Sequence, residues 1–211
     1  MQGRVCIIPP VEHGVAMRAN RYLKTLFALI AGACMLHGAG STANAATVLR
    51  MELPALVAAS DLVIRGIVAS GSCRVGETGR IFTDTVVHID ELLVGEAGSD
   101  TLVVTTLGGE IGDRGQRVPG SPQLLAGDEV VLFLQRPGAH SPLARTFVVG
   151  LSQGVFHVTR SSGQPILTRH MDGLVLTGWD AVPIPDDLDT LRQAIKAFVP
   201  TAVQPDVEVG R

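Results

Sequence analysis

The sequence predicts a mainly β protein, an antiparallel barrel or sandwich with a helix on either flank. Three observations carry this. Five stretches of strand character follow one another between residues 62 and 160, separated by turn-like segments and not by helices, as expected of an antiparallel barrel or sandwich. One alternates strictly, with Ile81, Thr83, Thr85, Val87 and Ile89 on one face and Phe82, Asp84, Val86, His88 and Asp90 on the other. Another, DEVVLFLQR at 128–136, is apolar almost throughout and predicts a central strand.

Ahead of the strands lies a leader pattern. MRANRYLK, from Met17, carries Arg18, Arg21 and Lys24; TLFALIAGACMLHGAG then runs apolar, and STANA ends in Ala43-Asn44-Ala45. A basic stretch, an apolar stretch and an A-x-A site make up a secretory signal peptide. This assigns residues 17–45 to a leader cleaved between Ala45 and Ala46, and the mature chain to the periplasm or the exterior. The apolar run is too short and too rich in Gly and Ala to span a bilayer stably. Residues 1–16, with a Pro-Pro pair and Glu12, suit a gene-model extension or an extended n-region. An alternative makes Cys34 in IAGAC a lipoprotein acceptor, although Ala31 stands where a larger aliphatic is usual.

Cleavage after Ala45 removes four of the 17 basic residues and one of the 20 acidic ones, moving the formal charge from −3 to −6. No basic face for nucleic acid is then expected, and no membrane insertion of the mature chain. Of three cysteines only Cys73 remains, so the exported domain lacks an internal disulfide and rests on its apolar core.

The mature elements follow in order. LRMELPALVAASD places Leu49, Leu53, Leu56 and Val57 near helical spacing and closes at Asp61, which predicts a short helix. The β-barrel domain then spans 46–185, with strand stretches at 62–75, 80–95, 101–109, 128–136 and 146–160, and one or two weaker strands in QPILTRHMDGLVLTGW. A helix at 186–198 has Asp186 or Asp187 to cap it, acids in its first turn, and Leu188, Leu191, Ile195 and Phe198 as one apolar stripe for docking on the barrel. Residues 199–211 read as a disordered tail.

Two segments invite a functional reading. GGEIGDRGQRVPGSPQLLAG, Gly108 to Gly127, is long for a loop in a small domain, and such loops are usually functional or disordered. It makes Glu110, Asp113, Arg114, Gln116, Arg117, Pro119 and Pro122 candidate binding residues. A crossover that caps one barrel end is the plainer reading of the same segment. The second is GLSQG, Gly150 to Gly154, which spells the Gly-x-Ser-x-Gly nucleophile elbow of serine hydrolases. An elbow needs a sharp strand-to-helix turn whose amides form an oxyanion hole, yet both flanks here have strand character. Gly150 and Gly154 then serve as bulge or corner positions. His157 and His170 also precede Asp180, against the acid-then-His order of that fold.

No cofactor is expected: a Gly-Lys-Ser/Thr phosphate loop and a helix-opening Gly-x-Gly-x-x-Gly are both missing. No metal is expected either. His88, His140, His157 and His170 fall in no H-x-x-x-H or C-x-x-C spacing, although His157 can approach His88 and Asp90 across a sheet. Aromatics are few, and Trp179 alone reads as a core or cap residue.

SDLVIRGIVASGSCRV, GRIFTDTVVHIDELLVG, TLGGEIGDRGQRVPGSPQLLAGDEVVLFL and FVVGLSQGVFHV together resemble a group of uncharacterised exported bacterial proteins over about residues 47–160. That resemblance brings no established activity. More distantly, the order helix, five strands, helix looks like the netrin-like modules, OB-type barrels that include the tissue inhibitors of metalloproteinases. The likeness implies a five- to six-stranded antiparallel OB-like barrel. The inhibitors' amino-terminal cysteine has no counterpart in Ala46-Thr47-Val48. The resulting expectation is an exported, non-enzymatic module that binds another envelope or secreted protein, a secreted protease among the partner classes by fold analogy. A small serine hydrolase using Ser152 and a lipoprotein anchored at Cys34 are the alternatives.

Overall fold

In the computed structural model the described residues are 45–138, 145–161, 164–178 and 184–199, all within the unit Asn44–Arg211. The expected extension 1–16, the leader up to Asn44, Cys34, His140, Trp179, Asp180 and the tail beyond Val199 lie outside them. The elements are β1 (Ala46–Leu49), α1 (Leu53–Ala58), β2 (Leu62–Val75), β3 (Ile81–Val94), β4 (Thr101–Leu107), β5 (Gly109–Ile111), β6 (Arg114–Gln116), β7 (Glu129–Gln135), β8 (Thr146–Val148), β9 (Val155–Ser161), β10 (Gln164–Thr168), β11 (Leu174–Thr177) and α2 (Leu188–Phe198).

Strands β2, β3, β4, β8 and β7 close into a five-stranded barrel, and β9 and β10 extend the sheet outward from β7. Its neighbours are antiparallel except β4 and β8, which run parallel through Val104–Thr146 and Thr105–Phe147. An odd number of strands cannot alternate direction around a closed ring, so one parallel pair is a necessity of closure. The long β2–β3 ladder bends through register shifts at Val63/Ile64, Arg65/Gly66 and Val68/Ser70. Such bulges add the local twist that rolls a sheet into a barrel.

Two cores share the same strands. Leu62, Ile64, Val87, Val104, Val130, Leu132, Leu134 and Val155 fill the barrel. Their alternates Val63, Val131, Phe133, Phe156 and Val158 point outward beneath Leu53, Leu56 and Val57 of α1 and Leu188, Leu191 and Ile195 of α2. β7 is buried on both faces, which accounts for its unbroken apolar run. Asp187 caps α2 by accepting from the Thr190 amide at 2.8 Å. Of the expected stripe, Leu188, Leu191 and Ile195 are buried, while Phe198 remains 44% exposed at the last turn.

Three local expectations are corrected. Leu49 belongs to a strand, and the helix begins only at Leu53, with Pro54 in its first turn. β1 pairs in parallel with β11 across more than a hundred residues of sequence, a partner that local periodicity cannot reveal. The expected fifth strand, 146–160, is two strands separated by a 3-10 turn at Leu151–Gly154. The long segment after β4 carries a hairpin, β5–β6.

Candidate functional site

The hairpin is the only part of the 108–127 segment with regular structure among the described residues. Gly112 and Asp113 form its tip, and the base is clamped at three points. The Ile81 amide donates to Gln116 Oε1 at 2.7 Å. Ser121 Oγ donates to Leu107 O at 2.7 Å and accepts from the Leu107 amide at 3.1 Å. Farther on, Gly120 O accepts both the amide and the hydroxyl of Ser152, at 3.0 and 2.8 Å. Gly120 adopts φ +75°, and a Cβ there would collide with the Leu174 side chain, so only glycine suits the position.

The seven predicted loop residues therefore divide. Glu110, Asp113, Arg114 and Arg117 are exposed on or beside the hairpin. Gln116 is spent on the Ile81 amide, Pro122 is buried, and Pro119 packs beside Gly173. The first group presents charge and the second holds the segment to the barrel.

GLSQG faces inward. Gly150 has φ +66° and Leu151 φ +60°, a left-handed pair that turns the chain into the 3-10 turn. For leucine that conformation costs about 1–3 kcal/mol. Ser152 is 4% exposed, and strand β9 follows the turn with no helix. Its hydroxyl proton goes to Gly120 O. Gln153, 1% exposed, accepts from the Met51 amide at 2.7 Å and donates to Leu49 O at 3.0 Å. The two polar residues of the motif thus tie the long segment and the N-terminal strand to the same turn. Gln153 escaped the sequence reading, because its role depends on partners more than a hundred residues away.

Charge is organised on the barrel exterior. Asp84 takes Arg74 at 2.7 Å and Arg145 at 2.9 Å on one oxygen, and the Thr105 hydroxyl at 2.7 Å on the other. Burial alone would raise the Asp84 carboxyl, but hydrogen bonds from Arg74 and Thr105 and the charges of Arg74 and Arg145 outweigh it and lower it. Arg74 also lies over the Phe82 ring at 4.8 Å. A second network runs Arg160–Glu129–Arg65–Glu91–Arg192–Asp189, crossing β9, β7, β2, β3 and α2. Burial opposes ionisation of Glu91, yet its bonds from Arg192 and Arg65 prevail and lower its carboxyl. Glu129 is lowered chiefly by the Arg160 hydrogen bond, against burial and with help from Arg65.

The histidines do not meet as expected. His157 pairs with Val130 on β7, and β2 separates β7 from the strand that carries His88 and Asp90. Instead His157 packs against His170 and approaches Asp128. Cys73 is a free, half-buried thiol 3.3 Å from Thr83 Oγ1. At the other end of β3 and β4 a shallow depression is lined by Leu62, Ile89, Ala97, Ser99, Leu102 and Arg136.

Among the described residues no helix is long and apolar enough to cross a membrane. Ala45 is exposed, and Ala46 opens β1 by donating its amide to Gly173 O at 2.8 Å. No protein-family profile, curated protein or solved structure matches the chain.

Proposed function

We propose that the chain is an exported, non-enzymatic binding module whose β5–β6 hairpin meets another envelope or secreted protein. The observation that carries this is the contrast between a clamped base and a charged tip. Gln116, Ser121 and Gly120 hold the segment at three points, while Glu110, Asp113, Arg114 and Arg117 face solvent. A hairpin held in one shape loses little conformational freedom on binding, which favours affinity. The five-strand closure supports the resemblance to OB-type barrels, which host many binding functions. A signal peptide ending at Ala45 is compatible with the start of β1 at Ala46.

In-cell crosslinking of a tagged full-length chain, read by mass spectrometry, tests the proposal against a D113A/R114A/R117A variant. These side chains are exposed, so the fold should survive. We expect one discrete partner that is lost from the variant. The absence of any partner, or capture unchanged in the variant, would sink the hairpin reading. The serine-hydrolase alternative predicts labelling of the wild type, and not of Ser152→Ala, by a serine-directed probe. The burial of Ser152 and its bond to Gly120 O favour no labelling of either.

A further inference from the structure

The β5–β6 hairpin has a neighbour at its end of the barrel. Beyond Val68, strand β2 pairs with β3 alone. The two strands end in a turn at residues 76–80, closed by the Gly76 amide on Arg80 O at 2.7 Å and the Gly79 amide on Gly76 O at 2.9 Å. Residues opposite each other in an antiparallel pair share a face, so Cys73, Val75, Ile81 and Thr83 lie on one side of this strand end. The base of β5–β6 covers that side. A side chain at Gly109 would collide with Cys73 Sγ and Thr83 Oγ1. The Thr83 hydroxyl donates to Gly108 O at 2.8 Å, and the Gly108 amide donates to Ile81 O at 2.8 Å. The two hairpins are thereby fixed to each other. Ile81 is buried between them, while Val75, directly opposite it, remains 46% exposed.

The two turns offer different chemistry. The exposed residues of β5–β6 are charged or glycine, and its Ile111 is half-buried. A protein–protein interface has an apolar centre shielded by a polar rim, whereas exposed charges chiefly set orientation and encounter rate. The hairpin alone therefore provides a rim without a centre. Val75 provides an exposed apolar group on the face that the hairpin covers, and the turn beyond it adds Glu77 and Arg80, both exposed. With Asp113 and Arg114 on the other turn, charges of both signs are present in equal number. Such a set complements a mixed-charge protein surface and not a polyanion.

We propose that the β2–β3 turn is the second half of the binding surface, with Val75 as its apolar centre and Glu77, Arg80, Asp113 and Arg114 as its rim, and that the partner is a protein presenting an apolar side chain among charges of both signs. The inference rests on the hairpin reading above and adds to it a second element and the surface the partner must carry. Both turns are closed by backbone hydrogen bonds, so little order has to be imposed on binding.

The test takes the partner identified by crosslinking to the wild-type chain, purifies it, and measures its affinity for the full-length wild type, V75D, V75T, E77A/R80A and D113A/R114A/R117A, with thermal midpoints as the folding check. Measurements are made at low salt and at about 1 M salt. We expect V75D to bind at least about tenfold more weakly, and V75T about threefold more weakly at either salt level. E77A/R80A should lose affinity at low salt, with the loss shrinking at high salt. Wild-type affinity in V75D or in E77A/R80A would overturn this inference, while loss in the triple variant would leave the hairpin reading standing. Wild-type affinity in the triple variant, or no partner at all, would overturn both. V75T and E77A/R80A decide the matter if V75D does not fold.

Discussion

Gln153 gives both ends of its amide to the backbone around Arg50, as a neighbouring strand would. Replacing it with alanine removes its bonds to the Met51 amide and the Leu49 carbonyl, both part-buried, and each lost hydrogen bond costs about 0.5–1.5 kcal/mol. For Gln153→Ala we expect a loss of about 2 kcal/mol or more in urea unfolding, with faster hydrogen exchange over residues 46–51. Ser152→Ala keeps the Ser152 amide on Gly120 O and loses one hydroxyl bond, so about 1 kcal/mol is expected. A Gln153→Ala chain as stable as the wild type would show that the clasp holds nothing. The letters of GLSQG could not reveal this arrangement. A buried anchoring serine and an exposed nucleophile share the same local spelling, and burial is set by distant chain.

Helix α2 shows at the element scale what was legible. Its existence, its C-terminal bound and most of its stripe follow from local rules, because Asp187, Thr190 and the 188/191/195 spacing act within a few residues; the helix begins at Leu188, two residues after the expected start at 186, because Asp187 is its cap. The ion pair from Arg192 to Glu91 on β3 does not, since it depends on how the helix lies across the barrel. The two kinds of contact separate under salt. Leu191→Ala should cost about 2–5 kcal/mol at any ionic strength, because it leaves a cavity in the outer core. Arg192→Ala should cost less, and its cost should shrink at about 1 M salt, where screening reaches down to about 3 Å. Urea unfolding of both variants at low and high salt makes the comparison. Equal salt dependence would mean that the Arg192–Glu91 ion pair does not contribute to docking.

Across the whole molecule, acid acts in two steps. The half-buried His157 takes up a proton less readily when folded than the unfolded chain does, owing first to burial and then to His170. Its contribution to stability is therefore full above the ordinary imidazole value of 6.5 and falls as the pH drops below it. Asp84, Glu91 and Glu129, lowered in the folded state, contribute above the ordinary carboxylate values of 3.8 and 4.5 and lose that contribution at still lower pH. His157→Gln should abolish the first decline and leave the second. Thermal midpoints measured across the pH range would reveal this, and an unchanged profile would refute it.

The β class, the barrel-facing alternation of β3, the central β7 and the C-terminal helix were determined by the sequence alone, because each depends on residues close along the chain meeting one apolar surface. The parallel β4–β8 pair, the β1–β11 pair, the split of the fifth strand and the meeting of His157, His170 and Asp128 were decided only in three dimensions. They rest on closure of an odd-numbered ring and on hydrogen bonds between segments far apart in sequence, which no local periodicity encodes.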